Sequence, residues 1–119
     1  MHTYSFEKLE VWQNARKFVR DIYKVTRKFP EEEKFGITNQ IRRASTSITA
    51  NLAEGTSRST NKDKLKFINI SYSTTIEVIN FLILSFDLEF IIEEEYSEMR
   101  EKAEKITNQI NSLYNSLNK

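Results

Sequence analysis

The chain has no cysteine, one histidine, one proline and two glycines in its 119 residues. Without cysteine it has no disulfides, no thiolate metal sites and no nucleophilic thiol. The histidine, His2, precedes the first predicted helix, so the paired Glu-x-x-His motifs of a di-iron bundle are absent. Three helix-breaking residues are too few for the many turns of an all-β fold. The sequence therefore predicts long helices.

Apolar residues recur at spacings of three and four along four segments, as on helices with one buried face. In the last segment the spacing is regular from Tyr96 to Leu117, as in helices packed along a bundle seam. Short connections favour antiparallel packing of successive helices. We expect an all-α fold, a single antiparallel up-down-up-down four-helix bundle, with helices over residues 8–28, 31–54, 61–88 and 93–117.

Local signals mark the helix ends. Gly36 is able to separate a first turn from the rest of the second helix, and Gly55 is predicted to end that helix in a left-handed conformation. Thr60 is placed to cap the third helix. The glutamate triplets at residues 31–33 and 93–95 suit the positive ends of helix dipoles.

The third predicted helix is apolar on nearly every side in its second half. Glu77, Asp87 and Glu89 interrupt the most apolar stretch, which makes it a poor membrane span. A helix within a four-helix bundle still exposes one face, and a large exposed apolar face usually marks a protein contact. We expect a homo-oligomer built partly on this helix.

Several function classes lack support in the sequence. There is no glycine-rich phosphate loop and no dinucleotide fingerprint, and the commonest catalytic bases are missing. We expect no enzymatic activity, no cofactor, no metal and no small-molecule substrate. The N-terminal residues do not resemble a signal peptide, which favours the cytoplasm.

The formal net charge is +1, but residues 1–60 carry 11 basic and 7 acidic side chains, whereas residues 61–119 carry 7 and 10. A basic end of the bundle is predicted from residues that close the second helix and open the third. The candidate contacts for nucleic acid or a partner are Arg42, Arg43, Arg58, Lys62, Lys64 and Lys66. An alternative for Arg42 is a structural ion pair with Glu77, and ordinary solvation is an alternative for the others.

The chain also resembles a family of small four-helix-bundle proteins that includes those encoded by intervening sequences of 23S rRNA genes. The matching pieces include the segments LEVWQNA, QIRRAS and NLAEG at residues 9–15, 40–45 and 51–55, together with Phe29-Pro30 and Arg58. Three residues depart from the pattern: Thr49 replaces a frequent proline, Ser73 a frequent glycine, and Glu89 a glycine that commonly ends the third helix.

The resemblance implies a bundle that assembles into a homopentameric ring. Its relatives include the accessory variability protein of diversity-generating retroelements, a basic barrel that binds nucleic acid and a reverse transcriptase. Two interpretations follow. The leading one is a non-enzymatic oligomeric scaffold or adaptor. The alternative is a nucleic-acid-binding protein that contacts structured RNA or DNA as an accessory to a reverse transcriptase.

Overall fold

A computed structural model describes all 119 residues as helices and connecting turns, with no strand. The four α-helices are α1 (Glu10–Thr26), α2 (Ile37–Ser57), α3 (Asn61–Asp87) and α4 (Glu93–Leu117). Two short 3-10 helices, Ser5–Lys8 and Glu31–Glu33, precede α1 and α2. The molecule measures 43 × 30 × 20 Å. The predicted all-α fold of four helices is confirmed.

The core is formed by the inward stripe of each helix. Helix α2 packs against α1 and α3, and α4 packs against the same two helices. Phe18, Ile41, Leu52, Leu82 and Ile106 are almost completely buried at the centre. Burying an aliphatic or aromatic side chain of this size contributes roughly 1.5–3 kcal/mol. The spacing of apolar residues therefore identified the faces that stabilise the fold.

Small polar side chains also lie in the interior. The hydroxyls of Ser71, Thr75 and Ser85 each donate to a backbone carbonyl one turn earlier on α3, at 3.2, 2.8 and 2.7 Å. These bonds satisfy groups that would otherwise be costly to bury. Thr38 is different, because its Oγ1 is buried and has no hydrogen-bond partner.

Two helix starts differ from the prediction. The first α-helix begins at Glu10 instead of residue 8, since Ser5–Lys8 forms a 3-10 turn. The second begins at Ile37, because Gly36 adopts an irregular conformation that separates Glu31–Glu33 from α2. The Glu33 carboxylate accepts the Ile37 N–H at 3.3 Å, which satisfies one of the free donors at the helix start.

The prediction that Gly55 ends the second helix was wrong. No glycine has a positive φ, and α2 continues to Ser57. Gly55 is buried where α2 meets α3, and a Cβ atom added to it would lie 2.9 Å from the Cβ of Phe67. The glycine is thus required by the close approach of the two helices and not by a turn.

The caps of α3 are well defined at both ends. The Thr60 hydroxyl accepts the Asp63 N–H at 3.2 Å, as predicted. At the other end, Phe90 N–H donates to Ser85 O and Glu89 N–H to Phe86 O, the paired bonds of a Schellman motif. Glu89 occupies the left-handed position of this motif with φ 63°. Glycine normally fills that position because it has no Cβ.

Candidate interaction surfaces

An exposed apolar face runs along α3. Its members are Ile70, Ile76, Ile83 and Leu84, which we call the α3 outer face, and each is 38–46% exposed. They lie on the side of the helix opposite the buried residues Ser71, Thr75, Val78 and Leu82. From Ile70 to Leu84 the face extends for about 21 Å along the helix axis.

The α3 outer face carries little charge. Ser73 and Asn80 lie among its apolar members, and Glu77 is its single charged residue. By length and composition alone α3 could cross a membrane. Core helices of water-soluble proteins also meet this criterion, so it is weak evidence for a membrane. What is clear is a long apolar surface with no partner inside the chain.

Arg42 joins α2 to the end of α1. Its Nε donates to Thr26 Oγ1 at 2.8 Å, and a terminal nitrogen donates to the Tyr23 carbonyl at 3.3 Å. The guanidinium also lies 4.6 Å above the Tyr23 ring. The predicted ion pair with Glu77 is not formed, because Arg42 faces α1 whereas Glu77 points outward from α3. Arg42 supplies a positive charge to the carbonyl end of α1, where the helix dipole is negative.

The six candidate contacts for nucleic acid or a partner do not form one cluster. Arg58 bonds the Glu54 carboxylate at 2.8 Å and stacks 4.5 Å above the Phe67 ring. Lys62 and Lys66 are exposed, whereas Lys64 is half-buried on another side of α3. Arg43 is exposed on α2, about 22 Å along the helix from Arg58. The six predicted cations therefore lie in at least three separate environments.

Ion pairs link α1 to α4. Lys102 bonds Asp21 at 2.9 Å and Glu98 at 3.0 Å, and the hydrogen bond to Asp21 is the main reason that the pKa of Lys102 is raised. Lys28 bonds Glu95 and thereby lowers the pKa of that carboxyl group. Both pairs are partly exposed, so each contributes little to the stability of the fold. Their main effect is to fix the position of α4 against α1.

The outward face of α1 carries a row of basic residues, which the sequence analysis did not single out. Its members, which we call the α1 stripe, are Arg16, Lys17, Arg20, Lys24 and Arg27, all exposed. They occupy an arc of about 100° around the helix that contains no acidic residue. The spacing of three and four residues from Lys17 to Arg27 was the available signal. Counting charge by halves of the chain, instead of by helix face, concealed it.

No group of three or more histidine, cysteine, aspartate or glutamate side chains is placed to hold a metal ion. The features that stand out are the two faces described above, on α3 and on α1. The class of protein is thus an all-α four-helix bundle with one extended apolar face and one extended basic face.

Comparison with known proteins places this bundle in a family. The model of the 23S rRNA-intervening sequence protein family matches residues 7–112, and the chain belongs to that family. It is also similar to a crystal structure, at 1.70 Å resolution, of a protein of unknown function from the S23 ribosomal protein family of Bacteroides thetaiotaomicron VPI-5482. The TM-score is 0.79 at 26% identity, over 87% of this chain and 97% of that one. No curated protein matches the chain.

Proposed function

We propose that the protein is a non-enzymatic, self-assembling scaffold whose copies associate through the α3 outer face. The observation that carries the proposal is the run of Ile70, Ile76, Ile83 and Leu84, which are exposed in the single chain and interrupted by one charge only. Leu88 and Ile92, at 56% and 58% exposure, extend the apolar surface past the end of α3. Covering such a surface with a second copy removes it from water without burying a charged row.

The assembly we propose is a closed ring of five chains, each an up-down-up-down bundle in the cytoplasm. Three contacts support opposite directions for α1 and α4: Asn14 with Gln109, Asp21 with Lys102, and Lys28 with Glu95. Residue numbers rise along one helix as they fall along the other. A ring requires that two different faces meet at each contact.

The outward face of α2 is suited to be the second face of that contact. Its central positions carry the small side chains of Thr46, Ala50 and Ala53, and Ala50 is exposed. Small side chains allow a neighbouring helix to approach closely, so large apolar residues of α3 from one copy would fit against them. An Ala50→Glu substitution is then expected to weaken assembly without disturbing the buried core.

The scaffold proposal is tested by placing charge on the α3 outer face. Size-exclusion chromatography with light scattering would compare the wild type with an Ile76→Lys, Ile83→Lys variant. A control with Asn108→Lys and Asn111→Lys adds the same charge to exposed positions of α4. We expect the α3 variant to elute as a helical monomer and the control to keep the wild-type mass. An α3 variant of unchanged mass, or a wild-type monomer that floats with lipid vesicles, would refute the proposal.

Contact with nucleic acid is a second candidate function, supported by the unpaired cations of the molecule. Of the predicted contacts, Arg43, Lys62 and Lys66 are exposed and make no ion pair. Exposed arginine and lysine side chains bind phosphate groups, and guanidinium groups do so with two parallel hydrogen bonds. Retention of RNA or DNA oligonucleotides in a filter-binding assay at low salt tests this function. Absence of retention for both would exclude it.

A further inference from the structure

The five cations of the α1 stripe have no acidic partners. Every ion pair in the molecule involves other basic residues, namely Lys28, Arg58, Arg100 and Lys102. Two carboxylates lie near the stripe, and both are already engaged. Glu7 accepts the Tyr4 N–H at 2.8 Å, and Asp21 accepts Lys102 at 2.9 Å. The five stripe cations therefore form no ion pair, and the stripe presents a net positive charge, although Glu7 beside it also has no ion-pair partner.

The stripe is narrow and straight. Arg16 and Lys17 are adjacent, and from Lys17 onward successive members are three or four residues apart, which places their Cβ atoms about 5–6 Å from one another. From Arg16 to Arg27 the row covers about 16 Å along the helix axis. Two surface depressions follow it, one beside Trp12 and the other beside Tyr23, and Arg20 lines both. The row and its depressions form one continuous track along α1.

Each of the two depressions carries an aromatic ring with a guanidinium stacked on it. Arg16 lies 5.5 Å from the centre of the Trp12 ring, and Arg42 lies 4.6 Å from that of Tyr23. Arg42 thereby adds a sixth cation beside the stripe, contributed by α2. Rings and guanidinium planes of this kind are the groups on which unpaired bases stack.

We infer that the α1 stripe binds the phosphate backbone of single-stranded RNA. This inference deepens the second candidate function by naming its surface and its ligand. One row of cations matches the one row of phosphates that a single strand presents, whereas a duplex presents two. The short interval between the cations favours RNA, because the C3′-endo sugar pucker draws successive phosphates closer together than the C2′-endo pucker of DNA.

The test compares two variants that each lose three positive charges. The stripe variant carries Lys17→Gln, Arg20→Gln and Lys24→Gln, and the control variant carries Lys8→Gln, Lys34→Gln and Lys119→Gln, at exposed positions outside both the stripe and the six predicted contacts. Fluorescence anisotropy with a labelled single-stranded RNA of mixed sequence would be measured from about 50 to 200 mM salt. Circular dichroism and light scattering would check that both variants keep the fold and mass of the wild type.

Five neutralised phosphates predict a salt slope of about −3.5, equivalent to about a 100-fold loss of affinity across this range. The stripe variant should bind at least about tenfold more weakly at low salt, with a slope reduced by about 2. The control variant should bind almost as the wild type does. If only the control variant lost affinity, or if both variants lost it equally, the stripe would be refuted as the binding site. Either result would still leave nucleic-acid binding as a function of the protein.

The ligand has its own controls. A single-stranded DNA of the same sequence and a duplex RNA should both bind more weakly than the single-stranded RNA. Tighter binding of either one would overturn the choice of ligand. An absence of binding to all three at low salt would refute the second candidate function together with this inference, and would leave the scaffold proposal standing.

Discussion

Replacing Glu89 by glycine should stabilise the protein. Glu89 holds φ 63° at the left-handed position of the Schellman motif that ends α3. A residue with a Cβ pays roughly 1–2 kcal/mol for this conformation, whereas glycine does not. Glycine in turn increases the entropy of the unfolded chain, which costs about 0.4–1 kcal/mol. The difference is a net gain of about 0.5–1 kcal/mol.

The gain should be visible in thermal unfolding followed by circular dichroism. For a domain of this size it corresponds to a rise in Tm of about 2–5 °C. Protein concentration must be fixed, because self-association makes Tm depend on it. The matched control is Glu89→Ala, which removes the same carboxylate from the acidic region near residues 93–95 but keeps the backbone strain. The control should change stability by less than about 0.5 kcal/mol.

The comparison between glycine and alanine decides the argument. If Glu89→Ala were as stable as Glu89→Gly, the gain would come from loss of charge and not from relief of strain. If Glu89→Gly were less stable than the wild type, the left-handed conformation of Glu89 would be refuted as the source of strain.

Three further predictions concern the interior and the α1–α4 contact. Gly55→Ala should lower the free energy of unfolding, measured by urea titration, by about 1 kcal/mol. The new Cβ would lie 2.9 Å from Phe67 Cβ, and this overpacking outweighs the better helix propensity of alanine. Higher stability of the variant would contradict the close approach of α2 and α3. Thr38→Val should raise the free energy of unfolding by about 1 kcal/mol, because it removes an unpaired buried hydroxyl. A loss of stability in this variant would show that the hydroxyl has a partner. The hydrogen bond from Lys28 lowers the pKa of Glu95 below its ordinary value of 4.5. The bond therefore stabilises the fold fully above pH 4.5, and this stabilisation is lost as the pH falls through the lowered pKa. Lys28→Met should therefore be less stable than the wild type at neutral pH, with the gap closing in acid, and an NMR titration in which the Glu95 pKa does not rise in the variant would exclude the pair.

Sequence periodicity was sufficient for the helices and the core but not for every boundary. The inward residues of α2, such as Ile41, Ile48 and Leu52, could be identified because burial imposes a repeat of 3.6 residues. The irregular backbone at Gly36 and the role of Gly55 could not be determined in this way. Glycine fits a turn and a close helix contact equally well, and only the packed neighbours distinguish the two.

The partners of surface residues were less accessible to sequence reasoning. Helical geometry placed Arg42 beside the buried stripe of α2, yet both α1 and α3 flank that helix. Which of these two helices lies on which side of α2 depends on the handedness of the bundle. The periodicity of the sequence does not specify that handedness. The α1 stripe could have been predicted, since every exposed position from Arg16 to Arg27 except Tyr23 is basic. Recognising it required projecting charge onto the predicted helix.

Sedimentation velocity of the wild-type protein at micromolar concentration tests the central claim that the α3 outer face is covered by another copy. The proposed ring predicts a single species of about 70 kDa, five times the chain mass of 14.1 kDa. A stable monomer of 14.1 kDa would contradict the account, because Ile70, Ile76, Ile83 and Leu84 would then remain exposed to water.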